Sequence, residues 1–248
     1  MVYSGLMHIT YFMALMIINF FRNKDIKRAI LGVLPLIADS RKVFFLILQL
    51  YRPKSFIEVG VGKGDTFEQY LSVADSLGLS NIKYYGFDTF DEGPPKDETK
   101  ILSTRLKSSS AQDNIWRVHY SSMETIRKKA DKYQHLSCEI HLFKGNTRKT
   151  IPESIEAILP VDIIYIDGGH SYKTVKSDWH SLKPAMKTGT IIIFDDFNCE
   201  EGVSRFVGEL LSHEGGNIKS LTISPASLSL WQCSTVILEY QSTIVQRQ

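Results

Sequence analysis

A chain of 248 residues, 43% hydrophobic and 23% charged, has the composition of a globular protein with room for one sizeable α/β domain or two small ones. Twenty-nine basic residues against twenty-seven acidic ones leave a net charge of +2, which argues against nucleic acid as the principal partner. The three cysteines, Cys138, Cys199 and Cys233, are odd in number and lack CxxC spacing, so they imply neither a zinc site nor a disulfide framework, and the expected compartment is the reducing cytoplasm.

The amino end is the compositional anomaly. Val2 to Phe21 carries no Asp, Glu, Lys or Arg, is close to the length of a spanning helix, and is followed at once by Arg22, Lys24, Lys27 and Arg28. It lacks the basic start and small-residue cleavage site of a secretory signal. His8, Thr10 and Asn19 dilute it, so a membrane anchor, an interfacial helix and a helix packed on the domain or on a second copy of the chain all remain open. The chain therefore divides into an apolar, helical segment over 1–42 and a domain over 43–248.

From Val43 the pattern is regular. An apolar helix-like stretch, VFFLILQL, precedes Arg52 and Pro53, and the strand SFIEVG then runs into glycines. A helix from about Thr66 to Leu77 leads to the strand IKYYGFD, ending at Asp88. Asp91 to Asn114 is polar with paired prolines and reads as a long loop or lid. A charged helix near Ser122–Tyr133, the strand EIHLFKG and a short helix starting near Pro152 follow. VDIIYID, a helix over about Tyr172–Met186 and TIIIFDD complete five strand-and-helix units. A helix from about Glu201 to Ser212 and two further strands, NIKSLTI and SLWQCSTVILEY, suit antiparallel pairing at the sheet border. The alternation predicts an α/β, doubly wound, mostly parallel sheet with helices on both faces, whose ligands bind beyond the carboxyl ends of the strands.

Glu58, Asp88, Asp167, Asp195 and Asp196 all fall at that edge. Carboxylates bordering an apolar core pair with a base, accept backbone hydrogen bonds or hold a metal. In EVGVGKGDT, Gly60, Gly62 and Gly64 stand between strand and helix, where the backbone turns sharply and a ligand meets free N–H donors. GxGxG departs from the dinucleotide fingerprint GxGxxG, and Asp65 at the last position argues against a pyrophosphate. Asp88, at the next strand end, is placed to accept hydrogen bonds from both ribose hydroxyls of an adenosine, or to cap a turn.

Read together, EVGVGKG, YYGFDTFDEGPP, LFKGNTRKTIP, IDGGHSYKTVKSDW and LKPAMKTGTIIIFDDF resemble class I S-adenosylmethionine-dependent methyltransferases, and more narrowly the macrocin O-methyltransferase group acting on sugar hydroxyls. The resemblance runs from about Ser55 to Phe197 and implies a Rossmann-like, seven-stranded sheet with an antiparallel border strand. It implies that Glu58, Gly60, Gly62 and Asp88 line the cofactor pocket, with Gly145 and Asn146 near the adenine or the methionine tail. It further implies that Asp167, Asp195 and Asp196 hold a divalent cation, usually magnesium. Two positions depart from the group: Gly169 stands where a second acid is frequent, and His170 where some relatives carry a bulky apolar residue.

The chemistry expected is methyl transfer from a sulfonium to the hydroxyl of a sugar or glycosylated natural product. A cation on hard oxygen ligands lowers the hydroxyl pKa, and either His170 or Asp167 takes the proton. Alternatives are a catechol-like aromatic acceptor, a metal-dependent glycosyltransferase using FDDF, and a non-catalytic binding protein of the same fold. The expected partners are a small-molecule or glycan acceptor, a membrane surface through residues 2–21, and a second copy of the chain.

Overall fold

The computed structural model describes residues 40–95, Glu98, 121–223 and 233–242. The apolar stretch 2–21 and most of the expected lid lie outside the described residues. Among the described residues no helix is long and apolar enough to cross a membrane.

Seven strands form one sheet: β1 Ser55–Val59, β2 Lys83–Asp88, β3 Glu139–Lys144, β4 Ile163–Ile166, β5 Ile191–Phe197, β6 Ile218–Ile223 and β7 Ser234–Tyr240. Their order is β3-β2-β1-β4-β5-β7-β6. The first five are parallel, and β7 runs antiparallel to both β5 and β6. In the central strands side chains alternate between two buried faces. Ile163 and Tyr165 of β4, with Ile191 and Ile193 of β5, enter one core; Ile164, Ile166, Ile192 and Phe194 enter the other. Burial on both sides is what near-continuous runs of β-branched residues are suited to.

The helices sort onto those faces. On the first lie α1 Ser40–Tyr51, α2 Asp65–Ser76 and α3 Met123–Ala130; on the second, α4 Thr147–Ser154, α5 Tyr172–Leu182 and α6 Glu201–His213. α1 belongs to the core: Leu46, Ile47, Leu48 and Leu50 are buried, and the Phe44 ring lies 5.2 Å from that of Tyr165. It ends where Arg52 turns left-handed (φ 48°), donates its N–H to the Leu48 carbonyl at 2.9 Å and is followed by Pro53. The helix begins at Ser40 and so crosses the expected division at 42/43.

α4 starts five residues earlier than expected. The Asn146 side chain accepts from the Arg148 N–H at 3.1 Å and caps the helix there, leaving Pro152 inside it. The expected absence of a disulfide is also corrected, because Cys199 and Cys233 are bonded. The two lie 34 positions apart, one after β5 and one before β7, a long-range closeness that spacing in a sequence does not reveal. Under denaturing, non-reducing conditions an alkylating reagent is therefore expected to label Cys138 alone, and all three cysteines only after reduction. Mass spectrometry of the labelled chain checks this.

Asp178 of α5 is fully buried, and among the described residues neither of its carboxylate oxygens has a hydrogen-bond partner in good geometry. Burial pushes its pKa up to about 7, with the nearby Thr147 hydroxyl only partly opposing. A carboxyl group whose pKa is raised on folding adds stability that is complete below its unfolded value near 4 and is lost as pH rises through the folded one. Asp178→Asn is expected to match the parent near pH 4 and to be more stable at pH 8, by up to about 4 kcal/mol. Denaturant melts across that window measure the difference.

Candidate active site at the carboxyl edge of the sheet

Strand register brings the sequence motifs to one level. Val59 pairs with Phe87 and with Ile166, Ile166 pairs with Phe194, and Asp88 pairs with Lys144. The next residues along, Gly60, Asp88, Asp167, Asp195 and Gly145, therefore line one edge. Gly60 is left-handed (φ 88°), and a Cβ there would lie 1.9 Å from the Asp167 carbonyl oxygen, so the β1 turn rests directly on the end of β4.

The acids at this edge are satisfied in different ways. Glu58 is buried in β1 and accepts from the Tyr84 hydroxyl at 2.5 Å. Burial raises its pKa well above the usual range, Tyr84 opposes, and the charges of Asp167 and Asp88 add. Asp88 accepts from the Gly62 N–H at 2.9 Å and from the Phe90 N–H at 2.5 Å, so it shapes the glycine turn as well as facing it. Burial raises its pKa against these backbone donors. The Gly145 N–H donates to the Asp88 carbonyl at 2.8 Å, which ties the end of β3 and the start of α4 to the same edge.

Beyond β4 and β5 the structure divides the expected metal trio. Asp195 continues the alternation of Ile191 and Ile193, accepting from Tyr165 Oη at 2.5 Å and Thr235 Oγ1 at 3.0 Å. The ladder between β5 and β7 then shifts register between Phe194 and Phe197, and Asp196 adopts φ 55°. A bulge of this kind beside a site re-aims a side chain. Here it brings Asp196 Oδ2 to 3.1 Å from His170 Nε2, which lies 3.8 Å from Asp167 Oδ1. One ligand atom each of Asp167, His170 and Asp196 lies within 4.8 Å of the others. Two carboxylate oxygens and an imidazole nitrogen fit a divalent cation once that nitrogen has given up its proton.

Burial works against a charged His170, yet Asp167 and Asp196 overcome it and hold the imidazolium well above the usual range. Burial raises the Asp167 carboxyl, His170 opposes, and Asp195 and Asp196 add to the rise. On the other ring nitrogen, Glu200 Oε1 is 3.8 Å from Nδ1.

Sequence reasoning passed over Glu98, Glu200 and Gly202. A Cβ at Gly202 would come within 2.2 Å of the His170 carbonyl, so α6 packs onto that loop; a glycine in a helical stretch was the available signal. Glu98, in a polar stretch without periodicity, gave none. All the residues expected to bind cofactor or metal stand at this one edge.

A glycine turn, an acid at the second strand end and the strand order 3-2-1-4-5-7-6 define a class I methyltransferase fold. Residues 57–197, more than half the chain, match a family profile described as a methyltransferase domain, and the chain belongs to that family. It is an S-adenosylmethionine-dependent methyltransferase. Among solved structures, the O-methyltransferase NovP matches with a TM-score of 0.56 at 18% identity, over 77% of this chain and 73% of its own. The calicheamicin methyltransferase CalS11, elsewhere described as a TDP-rhamnose 3′-O-methyltransferase, matches at 0.55 and 16%, over 94% and 92%. An O-methyltransferase from Bacillus cereus, in complex with S-adenosylhomocysteine, matches at 0.56 and 12%, over 90% and 94%. No curated protein matches the sequence.

Asp88→Ala is expected to weaken S-adenosylhomocysteine binding by about 1.5–3 kcal/mol, the range for hydrogen bonds to a charged group. Asp88→Asn, which keeps an acceptor for one of its two backbone donors, should lose less. Titration calorimetry on both variants ranks them.

Proposed function

We propose that the protein methylates a hydroxyl group of a sugar or a glycosylated natural product, with a divalent cation, magnesium by preference, at Asp167 and Asp196. The observation that carries this reading is the convergence of Asp167, His170 and Asp196 at the strand edge beside Gly60 and Asp88. The sugar acceptor is supported by the description of CalS11 as a TDP-rhamnose methyltransferase. Glu58, Gly60, Gly62, Asp88, Gly145 and Asn146 form the cofactor side, where backbone N–H groups and buried acids hold the donor.

A cation bound there supplies positive charge beside the acceptor oxygen and favours its deprotonated form. The chain's own groups do the rest. Asp167 and Asp196 fix the acceptor end, the glycine turn fixes the sulfonium, and their shared backbone contact sets the distance between the two. Asp195 would join Asp167 and Asp196 as a ligand only by releasing Tyr165 and Thr235, and a cation held there would drive the proton off His170, so that the neutral imidazole could take the acceptor's proton. With His170 as the third ligand, that task passes to Asp167.

A cytoplasmic enzyme would hold Cys199 and Cys233 mainly as thiols, and one in an oxidising compartment would hold them as the disulfide. We place the protein in the cytoplasm, with residues 2–21 as the surface for a membrane or a second copy of the chain; the pair is then expected as thiols in cells and as the disulfide in protein isolated in air, and alkylation of intact cells before lysis tests that placement.

Methyl transfer to a panel of nucleotide sugars, glycosides and catechols is expected to fall to background in chelator and to return with magnesium or manganese. Asp167→Asn and Asp196→Asn should lower turnover by orders of magnitude with S-adenosylhomocysteine affinity nearly intact. His170→Ala identifies the base by whether turnover is lost while metal affinity is kept. Full activity in chelator on a verified acceptor would sink the metal mechanism.

A further inference from the structure

We infer that Glu98 is a positioning residue for His170, contributed by the chain between β2 and α3. Its carboxylate is buried and makes four contacts to a single short stretch. Oε2 accepts from the backbone N–H groups of His170 at 3.0 Å and Ser171 at 3.1 Å. Oε1 accepts from the hydroxyls of Ser171 and Thr174, each at 2.5 Å. Hydrogen bonds to a charged acceptor are the strong ones, and a carboxylate at the start of a helix is further favoured by the helix dipole.

An ordinary helix cap does not account for this arrangement. The Ser171 hydroxyl already caps α5, accepting from the Thr174 N–H at 3.2 Å. Glu98 comes from 72 residues away and reaches past that cap to the amide of His170 itself. Room has been made for it: a Cβ at Gly169 would lie 2.9 Å from Glu98 Cδ and 3.0 Å from Oε1. From the opposite side Gly202 closes on the His170 carbonyl. With its N–H held by Glu98 and its C=O walled by α6, His170 keeps only its side-chain rotations. Those are what place Nε2 against Asp196 and Nδ1 towards Glu200.

The inference rests on the reading that the Asp167, His170 and Asp196 cluster is the working site, and the test separates the two. Full-length protein labelled with ¹⁵N-histidine reports the His170 ring by long-range proton–nitrogen spectra, assigned with His170→Ala. Mn²⁺ alone, followed by electron paramagnetic resonance, reports the cluster. Glu98→Gln keeps the size of the side chain but turns an amide towards donors. It is expected to shift and broaden the His170 ring signals and to weaken Mn²⁺ binding about 10-fold or more, as loss of an outer partner does at metal sites. S-adenosylhomocysteine affinity should stay within about 2-fold, because the cofactor is held by the β1 and β2 ends. Ring signals and Mn²⁺ affinity at parent values would overturn the role of Glu98. So would a parallel loss of cofactor affinity, which marks a structural cap. Absence of Mn²⁺ binding by the parent overturns the metal reading, and the ring spectra then still decide on Glu98. Should Glu98→Gln melt below the measuring temperature, Thr174→Val deletes one of the four contacts without changing shape, and the same ring shift, in smaller measure, is required of it.

Discussion

The approach of the β1 turn to the end of β4 is the contact on which the site depends. The Asp167 N–H donates to the Val59 carbonyl and the Gly60 N–H to that of Phe87, each at 2.8 Å, so three neighbouring strands end in one continuous run of hydrogen bonds. Only a residue without a Cβ fits between, since the Asp167 carbonyl occupies that volume. The glycine turn, made largely of β1 and β2 backbone, and the acidic side, made of β4 and β5 side chains, therefore share a wall one backbone thick. A donor methyl group and an acceptor oxygen have to meet within a few tenths of an ångström of their reactive geometry, and rigid backbone achieves this better than a pair of mobile loops.

Crowding five carboxyl groups at one edge would be untenable if all were left bare. Each is answered locally. Glu58 has Tyr84, Asp88 has the amides of Gly62 and Phe90, and Asp195 has Tyr165 and Thr235. That leaves Asp167 and Asp196 facing a histidine, whose raised pKa makes it the cation that offsets them. Among the described residues, Asp167 and Asp196 are thus the acids of this edge whose charge is answered by an imidazolium rather than by hydroxyl or amide donors.

Much of this was legible in the chain. The β-branched runs and their alternation with helices gave the five parallel strands, and the glycine turn and Asp88 do stand together at the carboxyl edge of the sheet. What escaped did so for identifiable reasons. The turn that separates Asp195 from Asp196 comes from a bulge against β7 and a left-handed residue, and neither has a signature in FDDF. The bond between Cys199 and Cys233 depends on β7 lying beside β5, a pairing of strands distant in sequence. Asn146 read as a ligand-edge residue also proves to be a cap, and that is why α4 begins before Pro152.

Glu98 shows the limit most clearly, because its meaning depends on a glycine 71 positions away. The acid frequent after Gly168 in the group that this sequence resembles is missing here, and a carboxylate from elsewhere in the chain occupies the space beside Gly169. A local acid at that position would be tethered to the loop that it serves. One brought in from between β2 and α3 ties that loop to a residue 72 positions away. The geometry of His170 is then set from three separate parts of the chain, β4's end, α6's first turn and Glu98.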